Sequence, residues 1–140
     1  LVPPSELGDR MGDLSGINNT GATSFVQHAA AVAIREGEDF VAEGVERCRR
    51  ARDLVHQRLG GMERINLAAP KAAFYAFPQI VGLKDDLEFA KQLVREHRVG
   101  LAPGSAFGPG NEGYLRLCFA KSEEQLSAAM DRIEAGLKTL

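Results

Sequence analysis

No stretch of this chain approaches the ~18 consecutive apolar residues of a membrane-spanning helix, so nothing in it reads as a membrane partner. Cysteine is nearly missing. Cys48 and Cys118 are the only two, one on a helix-like and one on a strand-like segment, with no short spacing between them. That excludes a dense disulfide framework, and a reduced, cytoplasmic chain is the simplest expectation. His28, His56 and His97 show no ligand spacing with each other or with a cysteine, so no metal site is expected. No Ser-His-Asp signature exists either; His56 and Asp53 are neighbours on a helix surface. An excess of positive charge is also lacking. Lys and Arg number 17 against 19 Asp and Glu, a net −2, which removes the electrostatic case for nucleic acid or an anionic membrane. The densest basic run, Arg47, Arg49, Arg50 and Arg52, is interleaved with Glu43, Glu46 and Asp53 and reads as a solvated helix face. There is no internal repeat and no low-complexity tract.

What remains is an ordinary globular composition: 140 residues, 44% apolar and 26% charged. A chain of that length suits one domain and buries about two-thirds of its unfolded surface. It opens Leu1-Val2-Pro3-Pro4, an apolar pair cut short by prolines and without an initiator methionine. That reads as the tail of a strand, and the expectation is a piece of a longer protein.

Residues 4 to about 14 open helix-like behind the prolines, with Ser5 as a candidate cap. Gly16 to Gly21 reads as a loop rich in turn formers. A helix is expected from Thr23 to about Arg35, where Gly37 breaks it. Glu38 to about Leu59 reads as a long helix, with Val41, Val45, Cys48, Val55 and Leu59 as its apolar stripe and Gly60-Gly61 as its stop. At about 30 Å it outreaches so small a partner domain and suits a bridge between two domains. Strands are expected at 65–68 and 73–77. In the second, Ala73, Tyr75 and Phe77 share one face, and Phe74 and Ala76 share the other. A helix follows from Asp85 or Asp86 to about His97, with Leu87, Ala90, Leu93 and Val94 inward and Glu88 completing a capping pattern with Asp85. Residues 99–102 form a short strand. The last helix starts at the capping box Ser122-Glu123-Glu124-Gln125 and carries Leu126, Met130, Ile133 and Leu137 as a buried stripe. The tally is an α+β fold: a small mixed or antiparallel sheet of about four strands, covered by helices and preceded by a long linking helix.

The most telling stretch is the loop Pro103-Gly104-Ser105-Ala106-Phe107-Gly108-Pro109-Gly110 with the run Gly113-Tyr114-Leu115-Arg116-Leu117-Cys118-Phe119-Ala120. Period-two alternation sets Leu115, Leu117 and Phe119 on one face and Tyr114, Arg116, Cys118 and Ala120 on the other. A guanidinium among apolar neighbours costs several kcal/mol if buried unpaired. Two readings stay open on position alone. Arg116 reaches solvent from an edge strand, or it waits for a ligand carboxylate or phosphate that its fork of donors fits bidentately. The loop is no nucleotide cradle, because it lacks a Gly-Lys-Ser/Thr ending and leads into a strand. Gly104 and Ser105 read as the rim of a pocket, with the Ser105 hydroxyl serving the turn.

Pro-Gly-Ser-Ala-Phe-Gly followed by Gly-Tyr-Leu-Arg-Leu resembles the C-terminal part of class I/II, fold type I pyridoxal-phosphate aminotransferases. Pro70-Lys71-Ala72-Ala73-Phe74-Tyr75-Ala76-Phe77-Pro78 resembles the aromatic strand such enzymes carry about forty residues earlier. The resemblance covers essentially the whole chain. It implies three parts: 1–36 as the tail of the large, cofactor-binding domain, 37–61 as the long interdomain helix, and 62–140 as the small domain. It implies that Arg116 pairs with the α-carboxylate of an amino acid and that Phe74 lines the substrate pocket. Asn19 and Thr20 would reach the cofactor phosphate of the neighbouring subunit. It also implies pyridoxal 5'-phosphate as cofactor, amino acid and 2-oxo acid substrates, and a homodimer. The sequence departs from the family at Ala72 or Ala73, where glycine is common. The Schiff-base lysine is missing as well: none of Lys71, Lys84, Lys91, Lys121 or Lys138 stands in its Ser/Lys-rich context, so the chain alone is expected to be inactive. Beside this stand another pyridoxal-phosphate chemistry of the β-lyase type, a non-enzymatic small-anion or partner-binding module, and an aminotransferase-like domain of a transcription regulator.

Overall fold

The computed structural model describes residues 4–140, so the expected strand tail at Leu1-Val2 lies outside the described residues. Two compact units divide the chain, one ending at Ala42 and the other spanning Glu43–Leu140.

The first unit is helical. A 3-10 turn at Ser5–Leu7 leads into α1, Gly8–Asn19, and then α2, Ser24–Glu36; a third helix, α3, begins at Glu38. Ser5 bonds its own neighbour Glu6 rather than capping. The loop expected at Gly16 to Gly21 is mostly helix. Its turn-forming residues mark where α1 stops: Thr20 takes the left-handed conformation at φ 58° and Gly21 follows at φ 115°. Neither α1 nor α2 buries any residue.

The second unit contains the rest of α3 (Glu38–Gly60) and all the strands. The stripe expected along α3 is buried only toward its end, as Ala51, Val55 and Leu59, whereas Val41 and Val45 are exposed. Five short strands follow: β1 Ile65–Asn66, β2 Tyr75–Ala76, β3 Gln79–Ile80, β4 Ala102–Pro103 and β5 Leu115–Cys118. They pair antiparallel as β1-β3 and as β2-β5-β4, which puts β5 at the centre of the larger sheet. β3 lies beyond the proline expected to end that region. Pro78 does not interrupt pairing, because it offers its carbonyl to the Leu115 N–H at 3.0 Å. The expected alternation along β5 holds, with Leu115, Leu117 and Phe119 buried and Arg116 and Cys118 not.

Helix α4, Asp86–His97, starts at Asp85, whose carboxylate accepts the Glu88 N–H at 2.9 Å. Its buried face is Asp86, Phe89, Ala90 and Leu93; Ala90 and Leu93 are inward as expected, whereas Leu87 and Val94 are exposed and Asp86 and Phe89 take their place. The phase that wins buries the phenyl ring of Phe89, and it tolerates Asp86 inside because that carboxylate finds two donors. Helix α5, Glu123–Leu137, is capped by Ser122, which accepts the Gln125 N–H at 3.3 Å. Leu126, Met130, Ile133 and Leu137 are buried as expected. The core joins these residues to Val55, Leu59, Leu93, Leu115, Leu117 and Phe119. Helices α4 and α5 approach closely at Gly136, where a Cβ would fall 2.6 Å from Leu93 Cδ2.

Candidate functional site

Arg116 projects from β5, on the face of the sheet away from the core, where Ala102 lies opposite it. Its strand neighbour Tyr75 pairs with Cys118 on that same face. The strand therefore delivers one cation onto a surface whose other side is sealed by Leu115 and Leu117. The guanidinium carbon stands 4.5 Å from the ring centroid of Tyr75 and 4.4 Å from that of Phe107. Each such contact contributes about 0.5–1 kcal/mol where solvent has access. Further rings continue the array. Phe107 meets Phe77 edge-on at 5.9 Å, Phe77 stacks on Tyr114 at 5.0 Å, and Phe74 lies tilted on Tyr75 at 4.7 Å.

Rings hold a cation without consuming its N–H groups. Among the described residues Arg116 forms no ion pair and no side-chain hydrogen bond, while most other arginines of the second unit are paired: Arg49 and Arg50 with Glu46, Arg52 with Asp53, Arg58 with Asp131, Arg95 with Glu88. Arg116 is half-buried, and none of its nitrogens is both buried and without a partner. Its fork of five donors is fixed in place, reaches solvent and lacks an anion. A planar carboxylate fits that fork with two parallel bonds.

The loop before β5 holds one of the two rings. Residues Gly104–Phe107 form a 3-10 turn, and Gly104 must be glycine there, since a Cβ would sit 2.1 Å from the Asn111 carbonyl oxygen. Ser105 is fastened to α4. Its backbone N–H donates to Asp86 Oδ2 at 2.7 Å, and its hydroxyl donates to Asp86 Oδ1 at 2.8 Å. The serine read as a turn hydroxyl is thus bonded across to a carboxylate that is only 4% exposed.

The site residues read from the sequence separate accordingly. Arg116 and Phe74 belong to the aromatic array, Phe74 at one remove, 40% exposed and touching Tyr75. Asn19 and Thr20 are exposed at the end of α1 in the first unit. Tyr75, Phe107 and Asp86 were not singled out. For Tyr75 a signal existed, its shared face with Phe77. Asp86 enters the sequence reading only as the alternative to Asp85 at the start of α4, not as a site residue. At the alanines standing where glycine is common, Ala73 has φ 58°, a left-handed conformation that glycine adopts freely and alanine does not. Among the described residues no group of three metal-ligating side chains occurs.

Comparison with known proteins decides the lineage. The family model described as aminotransferase class I and II matches residues 1–133. The chain belongs to that family. It is 40% identical over 144 residues to the aromatic-amino-acid aminotransferase 2 of Thermococcus litoralis, covering 99% of this chain and 36% of that protein. It is equally 40% identical, with the same coverage, to the aspartate aminotransferase of Pyrococcus abyssi. The crystal structure of an aromatic aminotransferase from Pyrococcus horikoshii superposes with a TM-score of 0.86 at 37% identity, over 99% of this chain and 38% of that one. The chain thus spans a little over a third of the length of these relatives. Members of the family use pyridoxal phosphate, but the described residues do not form a seat for it. Lys71, Lys84, Lys91, Lys121 and Lys138 are all exposed, so none of them is enclosed by the described residues.

Proposed function

We propose that the protein carrying this chain moves an amino group between an amino acid and a 2-oxo acid with pyridoxal phosphate, and that Arg116 binds the substrate's α-carboxylate. The observation that carries this reading is the guanidinium held over Tyr75 and Phe107 with no anion of its own. Two parallel charge-assisted bonds, at roughly 1.5–3 kcal/mol each, fix the amino acid's orientation. Fixed orientation keeps its Cα–H where a base can reach it. The same fork accepts the carboxylate of the 2-oxo acid, so one group serves both substrates. Phe74 and Tyr75 supply apolar wall beside it.

This chain contributes the carboxylate grip; the cofactor and its lysine belong to other residues of the protein, and the chain by itself does not transaminate. Asn19 and Thr20 reach toward the cofactor phosphate of the second copy in a homodimer. The substrate stays at the level of an amino acid, because relatives of equal identity bear the names of aromatic and of aspartate aminotransferases.

Replacing Arg116 tests the reading. In the full-length protein, Arg116→Lys keeps the charge but loses the planar fork. It should weaken amino-acid binding at least tenfold and leave the cofactor's absorbance unchanged. Unaltered affinity would refute the assignment.

A further inference from the structure

Arg116 is held by one ring from its own sheet and one from outside it. Tyr75 is secured by ladder bonds on either side, the Phe119 N–H to the Phe74 carbonyl at 2.8 Å and the Leu115 N–H to the Pro78 carbonyl at 3.0 Å. Phe107 lies in no strand; beyond it the Asn111 amide donates to the carbonyls of Phe107 and Gly108, each at 3.2 Å, which holds the turn on that side. Phe107 is 42% exposed, ends a four-residue 3-10 turn, and is followed by Gly108 at φ 107°. A glycine hinge beside an exposed ring leaves that ring free to swing unless the turn is tied elsewhere. Ahead of the ring the turn is tied by the Gly104 N–H to the Tyr114 carbonyl at 2.8 Å and, through side chains, by the Asp86–Ser105 pair. Both carboxylate oxygens are engaged, by the N–H and the hydroxyl of the same serine, two residues ahead of Phe107.

A buried carboxylate is a costly way to fasten a surface turn, since removing a charge from water is unfavourable unless donors replace the water. Asp86 is the only buried charged side chain of the chain's described residues. It plays no part in capping α4, because Asp85 does that. Its partner is the loop alone.

We propose that Asp86 and Ser105 are positioning residues for the carboxylate grip: the latch sets the 3-10 turn, the turn sets Phe107, and Phe107 with Tyr75 sets Arg116. The inference rests on Arg116 being the carboxylate receptor, and it makes the N-terminus of α4, which is bonded to the loop and not to Arg116, part of substrate affinity. A second consequence follows from the chemistry of the pair. An amide at position 86 retains the latch, because its oxygen accepts the Ser105 N–H while the serine hydroxyl turns to accept from its NH2 group. A methyl group at position 86 retains neither bond.

The test uses the full-length, cofactor-loaded protein and succinate as a plain carboxylate probe, with affinity read by calorimetry. Asp86→Ala and Ser105→Ala should each weaken succinate about fivefold, the size of one cation–π contact. Asp86→Asn should stay within twofold of the parent. In a Phe107→Leu background the Ser105→Ala loss should vanish, because both act through one ring; independent, additive losses would show a merely structural role and overturn the proposal. Should Asp86→Ala fail to fold, Ser105→Ala carries the same comparison. Arg116→Met separates the two layers. If it abolishes succinate binding while the latch variants leave it untouched, the latch is refuted alone. If it leaves succinate binding intact, the receptor reading falls with it.

Discussion

The two units of this chain are built on opposite terms. In the second, Phe119, Leu93, Met130 and Leu59 are almost completely withdrawn from water. In the first, α1 and α2 bury nothing, and Ile17 and Ile34 are each 85% exposed, Phe25 73%. Both regions have helices with apolar residues, although among the described residues only the second has side-chain N-caps, at Asp85 and Ser122. What differs is whether a sheet lies beneath them. A helix gains most of its stability from an apolar face packed on something else, so helical spacing in a sequence reports a face that wants covering, not one that is covered. Arg116 stands in the second unit on a strand whose other face is sealed by Leu115 and Leu117. Asn19 and Thr20, at the end of α1, are both exposed.

Core truncation should break the symmetry between the units most visibly. On the 140-residue chain, Phe119→Ala should cost about 3–5 kcal/mol in chemical unfolding. Phe25→Ala should move the same midpoint by less than about 0.5 kcal/mol, as exposed sites do. Equal losses would mean that the first unit has a core of its own and that the contrast is unreal.

A smaller effect sharpens the contrast through backbone strain. Among the described residues each unit has one left-handed residue that is not glycine outside a cap of α4: Thr20 at φ 58° in the first and Ala73 at φ 58° in the second. Ala73→Gly should stabilise the second unit by about 1 kcal/mol, since that conformation costs an L-residue roughly 1–2 kcal/mol and glycine recovers most of it. Thr20→Gly should leave the cooperative midpoint unmoved, because α1 and α2 on either side of Thr20 bury no residue. A rise with Thr20→Gly would show the units melting together.

The smallest effect is acid sensitivity along α4. Arg95 and Lys91 beside Glu88 hold its carboxyl below the ordinary 4.5, the hydrogen bond to Arg95 acting first. A lowered folded value means a contribution present above the ordinary carboxylate range and lost as pH falls through the lower value. Glu88→Gln should therefore separate slightly from the parent at pH 7 and merge with it near pH 3, the gap narrowing in salt because the pair is exposed. A gap that persists in acid would assign the effect to propensity rather than charge.

How much of this was legible before the coordinates follows the same division. The α5 stripe, the β5 alternation and the caps at Asp85 and Ser122 are local patterns with one dominant solution, and they stand as read. Of the α4 stripe Ala90 and Leu93 stand as read, but Leu87 and Val94 give way to Asp86 and Phe89, because a hydrophobic count cannot foresee an aspartate bonded by a loop nineteen residues away. β3 went unnoticed because a proline precedes it, and only the fold shows that its carbonyl, not its missing N–H, faces the neighbour. Arg116 was legible as an unpaired cation; its aromatic setting was not, since Phe107 arrives from a turn whose direction no periodicity records. Glycine's usual place near Ala73 was visible by resemblance, and the positive φ there supplies the reason.

The most direct test is a crystal structure of the full-length protein with an amino acid or 2-oxo acid bound. Both carboxylate oxygens should lie at about 2.7–2.9 Å from the guanidinium nitrogens of Arg116, with Tyr75 and Phe107 still against it. A ligand whose carboxylate is met by another group, leaving Arg116 on its rings and in water, would contradict the account.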